Sequence, residues 1–455
     1  MPTGWMGVRA AVLAASVAAA AVPAAAQSAS GLLAIEGLSP AAALLATPDG
    51  RAALAANLEV TGAIQAGTRP QPLLLPFAEQ QGLAIRDAFI TNGNAAVVAD
   101  ALGTRLAGIY ALGARYEDAK RFTNISPALA TLFAYTNATT SGDSNAAKYG
   151  LGNGTTEGKT PFSEAAAAAM ARKGAAADVL GQAYNRPAGS PGADAFGNSR
   201  PFQTLPAITT YAGPDYFGAA TTNRALLEGP DTDLRDSPSF PSGHTTYGTM
   251  SSLLLALLVP ERYGAMVTRG AEYGNDRIIL GAHYAMDVIA GRALAMHDLA
   301  HLLANDPRFV GRAFGGVTVT DYPAAFRAAR TDLVAALKAG CGDVIAVCAA
   351  QDTSRFTDPA ANEAFYEATL TYGLPPAFPA RTGLRADVAT AAPEAGHLLT
   401  AAFPHLSLAQ ANAILTETQG QGGGFLDDGS SPFGVYARLN LVAAGKRAAA
   451  MAPTQ

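Results

Sequence analysis

The chain has 455 residues, 49% hydrophobic and 15% charged, with 31 Lys and Arg against 36 Asp and Glu for a formal net charge of −5. That is enough chain for one large domain or two ordinary ones, and too apolar for a disordered polypeptide. No basic tract marks a surface for nucleic acid or anionic membrane, so any anion site must be local.

At the start, Arg9 precedes an apolar, alanine-rich run over 10–22 and then Pro23-Ala24-Ala25-Ala26. This reads as a secretory signal, 1–26, cut after Ala26, because the run is too short to span a bilayer. The mature chain is therefore expected in the periplasm or outside the cell. Beyond it, alanine and leucine at helical spacing predict a mostly α protein, with helices over 79–103, 161–183, 245–259, 262–275 and 282–304. Two stretches rich in Gly, Ser, Thr and Asn, 137–160 and 187–198, read as loops bordering a site. The apolar run 253–259, closed by Pro260, suits a buried core, so no membrane-spanning segment is expected after the signal.

Past 320 the sequence offers further helices and a flexible Gly420-Gln421-Gly422-Gly423-Gly424 break. The expected organisation is thus a signal (1–26), a helical catalytic domain (27–320) and a helical C-terminal extension (321–455). The only cysteines, Cys341 and Cys348, are expected to form a small-loop disulfide in an oxidising compartment. Neither has the neighbours for a familiar zinc ligand set.

Two short blocks carry the chemistry. In Pro241-Ser242-Gly243-His244, just before a helix, backbone N–H groups converge with the positive end of the helix dipole, a seat for an anion. Gly243 allows close backbone approach, the Ser242 hydroxyl adds a donor, and His244 brings a titratable ring. The second block is Arg277-x5-His283-x3-Asp287. On a shared helix face Asp287 can accept the Nδ1 proton of His283 and leave Nε2 free as nucleophile or base. Arg277, set off from that helix by Gly281, can turn its guanidinium to the same anion. Either block alone is an ordinary cap or surface pair; together, in this order, they point to phosphoryl transfer. His297 and His301 lack a third ligand and read as structural, as do His397 and His405. Tyr184, Tyr247 and Tyr284 read as packing residues or as lining of a cleft.

At these residues the chain resembles the type 2 phosphatidic acid phosphatase superfamily, which includes the vanadium haloperoxidases and is marked by Lys-x6-Arg-Pro, Pro-Ser-Gly-His and Ser-Arg-x5-His-x3-Asp. It is most similar to bacterial class A non-specific acid phosphatases around 239–246 and 269–277. The resemblance implies an all-α helical bundle and hydrolysis of small-molecule phosphate monoesters without metal or other cofactor, with vanadate binding as a phosphate mimic. By motif match it implies His283 as nucleophile, Asp287 as its orienter and His244 as acid and then base, with Arg277, Ser242 and Gly243 holding phosphate oxygens. The first block is split into Tyr184-Asn185-Arg186-Pro187 and Ser199-Arg200-Pro201-Phe202, so Arg200 is expected on the phosphate and Arg186 in support. The lysine is missing: seven positions earlier stand Ala193 and Val179, and Lys173 is the nearest upstream candidate. Asp276 replaces the serine before Arg277. A vanadium-dependent haloperoxidase and an inactive phosphate-binding protein are the alternatives.

Overall fold

Helices carry the architecture from end to end. The computed structural model describes residues 28–88, 93–118, 121–205, 207–224 and 234–451, and the expected signal 1–26 lies outside these. Among the described residues the sheets are two small antiparallel pairs, Ala212–Pro214 with Ala220–Thr222 and Ala313–Phe314 with Val317–Thr318. The expected all-α class is the one observed. Eight helices matter here: α1 (Ala29–Ala42), α2 (Phe77–Arg86), α3 (Pro127–Asn153), α4 (Gly243–Leu258), α5 (Tyr263–Ile279), α6 (Ala285–Leu303), α7 (Pro359–Thr371) and α8 (Leu441–Ala450).

The centre is α4, packed on α5, α6 and α3. Both α4 and α6 are buried along nearly their whole length. α6 lies so close to the start of α4 that a methyl group on Gly291 would sit 2.5 Å from the Ser242 carbonyl oxygen. Only glycine fits there, and this contact fixes the Pro241–His244 turn against the helix that follows His283.

α3 corrects the loop expected over 137–160: residues to Asn153 are helical, and only the remainder is turn. Ser126 caps its first turn by accepting from Leu129 N at 3.1 Å, Pro127 opens it, and Gly154 ends it at φ 72°. Its hydroxyl-rich sequence is tolerated because Thr136, Thr139 and Thr140 donate back to the carbonyls four residues earlier, at 2.6, 3.0 and 3.1 Å. The stretch 187–198 is non-helical, as expected.

Two expected helices are interrupted. The segment 79–103 breaks after Arg86, where buried Asp87 takes both guanidinium ends of Arg269 at 2.6 and 2.7 Å, and resumes as a 3₁₀ turn at Ala96–Leu102. The segment 161–183 divides into Glu164–Arg172 and Val179–Ala183. Between them Asp178, at φ 59°, receives the backbone N–H groups of Ala188 and Asn198.

The stretch 29–46 is long and apolar enough to cross a membrane. Here it packs on α3, and Ala34, Ile35 and Leu38 are fully buried. Beyond 320, α7 and α8 pack on α5, with Gly445 against the Tyr263 ring. Arg355 reaches back to Glu272 at 2.6 Å and Asp100 at 2.8 Å. Cys341 and Cys348 are disulfide-bonded. His297 and His301 bond Asp298 and Asp306, each at 2.9 Å, among Phe309, Phe433 and Tyr436.

α1 is tied to α3 by Asp143, which accepts from Ser30 Oγ at 2.8 Å and lies 3.7 Å from Arg312. Burial, and then the neighbouring Asp298, push this carboxyl up to about 8, against the pull of Ser30 and Arg312. Because the folded value lies above the unfolded one, Asp143 contributes stability at low pH that is lost as pH rises from about 4 towards 8. Asp143→Asn should therefore show a shallower loss of melting temperature than the parent between pH 5 and 8, by thermal denaturation at fixed ionic strength. Parallel curves would refute the assignment.

Candidate active site

The α5–α6 junction sets the nucleophile candidate. Arg277 occupies the last turn of α5, the chain reverses at Gly281 with φ 78°, and the N–H groups of Ala282 and His283 both return to the Arg277 carbonyl, at 3.1 and 3.2 Å. Arg277 thus precedes α6 and is set off from it by Gly281, as expected. One detail of the sequence reading is corrected: His283 stands just before α6 and does not share a helical face with Asp287. Asp287, in the first turn of α6, still reaches back: its Oδ2 accepts from Tyr284 N at 2.8 Å and lies 3.3 Å from His283 Nδ1. Helix-start capping and imidazole orientation are thus done by one carboxylate.

With Nδ1 facing that carboxylate, Nε2 is the atom presented to the site. Arg200 Nη1 lies 3.0 Å from it, so in the tautomer with Nδ1–H the arginine donates to the Nε2 lone pair. The rest of the Arg200 guanidinium donates to Ser237 O at 2.7 Å, Ala282 O at 3.1 Å and Ser237 Oγ at 3.2 Å. All its hydrogen-bond partners are neutral. Arg277 is similar: Nη2 donates to Ala84 O at 3.3 Å, the guanidinium lies 4.6 Å from the centre of the Tyr273 ring, and its buried Nε is without a partner.

On the other wall, Ser242 caps α4 by accepting from Thr245 N at 3.1 Å, which leaves its own proton to give. The amides of Gly243 and His244, in the first turn, have no carbonyl within the helix to bond. His244 is partly open, its ring 5.9 Å from that of His283. Tyr247, one turn along, bonds Ser141 Oγ at 2.8 Å. Tyr184 and Tyr284 pack in the interior, ring centres 4.9 Å apart.

A buried cation from α3 stands beside the Ser242–His244 segment. A methyl group on Gly243 would lie 3.5 Å from Ser144 Oγ, 3.6 Å from Lys148 Nζ and 3.9 Å from Tyr247 Oη. Lys148 is buried in the same cluster, and burial, with Arg200 nearby, lowers its ammonium to about 7 against the pull of Asp194 and Asp287. The sequence reading missed it because its segment was taken as loop. Lys173, the expected candidate, instead pairs with Asp428 at 2.8 Å. Arg186 is exposed, its guanidinium on the carbonyls of Gln203 and Asn185. Arg200, Arg277, Ser242, Gly243, His244, His283 and Asp287 are brought together; Arg186 is not among the groups contacting them.

Both histidines are biased towards the neutral form. Burial, together with Arg277, Arg200 and Lys148, lowers His244 well below the ordinary range, and burial followed by Arg200 does the same to His283. Burial also raises Asp287, to about 7. Asp276, which accepts from Gln80 at 2.7 Å, is pushed well up by burial and by Asp87 and Glu272, which favours its neutral form. Arg200, Arg277 and Lys148 thus bring positive charge together in a dry setting. An anion with several oxygens complements that arrangement.

Residues 167–305 match the model of the PAP2 superfamily. The matched stretch spans every motif residue above but not Lys148. Similar proteins include the non-specific acid phosphatase of Salmonella typhimurium, 44% identical over 72 residues, 16% of this chain and 29% of that protein. That of Providencia stuartii is 39% identical over 95 residues, 21% and 36% of the two chains. The acid phosphatase of Zymomonas mobilis is 44% identical over 64 residues, 14% and 24%. The chain thus spans about a quarter to a third of the length of these relatives.

Replacing Lys148 by Met should lower kcat/KM for an aryl phosphate by about 10²–10³, the usual cost of removing one donor from a dry charge-stabilising site. Since Lys148 is among the cations that depress His244, the residual activity should also have its pH profile displaced upwards. An unchanged rate and profile would exclude Lys148 from the site.

Proposed function

We propose that this protein is a secreted or periplasmic acid phosphatase that hydrolyses small-molecule phosphate monoesters through a phosphohistidine at His283, with no metal required. The observation that carries this reading is His283 itself, oriented through Nδ1 by Asp287 and presenting Nε2 beside Arg200, in a buried cluster that also holds Arg277, Lys148 and the start of α4. A site that only bound phosphate would gain nothing from an oriented nucleophile.

When a monoester dianion enters, Arg200 Nη1 transfers its hydrogen bond from His283 Nε2 to a phosphoryl oxygen, freeing the lone pair. Nε2 attacks phosphorus in line; the N–P bond forms as the ester P–O bond breaks. His244, protonated once the dianion offsets the surrounding cations, gives its proton to the departing alkoxide, which leaves as an alcohol. Neutral His244 then takes a proton from water, hydroxide attacks the phosphohistidine, the N–P bond breaks, and orthophosphate is released. Asp287 holds Nδ1–H throughout. Arg277, Arg200, Lys148, Ser242 and the Gly243 amide stabilise the equatorial oxygens.

Because an acid of depressed pKa must be protonated in the first step, kcat/KM should rise as pH falls from 8 towards 5. Rapid acid-free quench with a ³²P-labelled aryl phosphate should trap label on His283, and His283→Ala should abolish both label and turnover. Wild-type-like turnover in that variant would refute the reading. Vanadate should inhibit as a phosphate mimic, whereas vanadate-dependent halogenation would point instead to a haloperoxidase.

A further inference from the structure

We propose that Ser144 is an additional phosphate ligand, its hydroxyl donating to a non-bridging oxygen of the monoester dianion beside Lys148; this rests on the phosphatase reading above. Ser144 precedes Lys148 by one turn of α3, so the two side chains share a face. Both approach the start of α4, at 3.5 and 3.6 Å from where a Gly243 methyl group would stand. Ser144 is fully buried, and its hydroxyl has no hydrogen-bond partner.

That isolation is unusual on this helix. Thr136, Thr139 and Thr140 all spend their hydroxyls on the carbonyl one turn back, the ordinary resting place for such groups in a helix. Ser144 leaves its proton unused in a dry site, an arrangement that is unfavourable for folding and that a phosphoryl oxygen would satisfy. Its oxygen stands beside Gly243, in the segment whose amides sit at the positive end of α4. A phosphoryl oxygen there would receive Ser144 Oγ–H, Lys148 Nζ–H and the α4 amides from two directions, while the arginines hold the remaining oxygens. Dianionic monoesters, with three non-bridging oxygens, use all these donors; a diester has only two such oxygens and leaves donors unpaired.

The test compares Ser144→Ala with the full-length wild type, using orthophosphate as the ligand and an aryl monophosphate as the substrate. Since the hydroxyl has no partner in the protein, the variant should melt at the same temperature or higher without ligand. Its KM and its inhibition constant for orthophosphate should each rise about tenfold or more, the size expected for one hydrogen bond to a charged group. kcat should fall less than KM rises. A variant that binds orthophosphate like the wild type, or that melts well below it without ligand, overturns the assignment of Ser144 and leaves the His283 reading standing. A wild type that neither hydrolyses the ester nor binds orthophosphate overturns both.

Discussion

Positive charge kept dry and unneutralised is the constraint on which this site depends. Two buried arginines show the difference. Arg269 meets Asp87 at both ends of its guanidinium and also lies against Asp100 and Glu272; its charge is consumed in holding α5 to Asp87 and to the Ala96–Leu102 turn. Arg200, equally buried, bonds carbonyls, a hydroxyl and an imidazole. Carbonyls fix the geometry of a guanidinium without cancelling its charge, so Arg200 remains available to an anion. The same holds for Arg277 on Ala84 O and the Tyr273 ring. Such a cluster is costly to bury without its counter-ion, and the depressed values at Lys148, His244 and His283 express that cost.

The helical core exists in a form that can bear it. Three separate helices and two connecting turns each supply one part: α3 the lysine and Ser144, the turn at 199–201 the first arginine, α4 the amides and His244, the end of α5 the second arginine, and the α5–α6 turn the nucleophile candidate. Their relative placement is fixed by contacts that admit little slack, such as Gly291 against Ser242 O. The extension contributes from outside. Phe425 lies 6.3 Å, centre to centre, from Phe240, immediately before Pro241, and Arg355 braces α5 through Glu272. The C-terminal part is thereby joined to the wall behind the site.

How much of this was readable from the sequence depended on whether a residue's role is local. Pro241 to His244 and Arg277 to Asp287 act through turns and helix starts a few residues long, and their spacing reveals them. His283 and Asp287 do meet, although through a capping contact across a helix start and not along one face. Lys148 was not legible, because its link to the site is a packing contact between α3 and α4 across nearly a hundred residues of chain. Its neighbourhood of Gly, Ser, Thr and Asn also imitates a loop. The available signal was the apolar series Leu129, Leu132, Phe133, Ala147 and Leu151 at helical spacing, together with Ser126-Pro127 as a helix start. Reading those would have placed Ser144 and Lys148 on one face. The breaks at Asp87 and Asp178 were equally hidden, since each is imposed by a distant partner, Arg269 in one case and the 188–198 turns in the other.

The most direct measurement is a crystal structure of the protein with orthovanadate bound. The account predicts vanadium bonded to Nε2 of His283, with Arg200 moved from that nitrogen onto a vanadate oxygen. Lys148, Arg277 and the Gly243 amide should contact the other oxygens, and His244 should face the apical position. Vanadate bound elsewhere, or bound at His283 with Lys148 directed away and a different cation in its place, would contradict it.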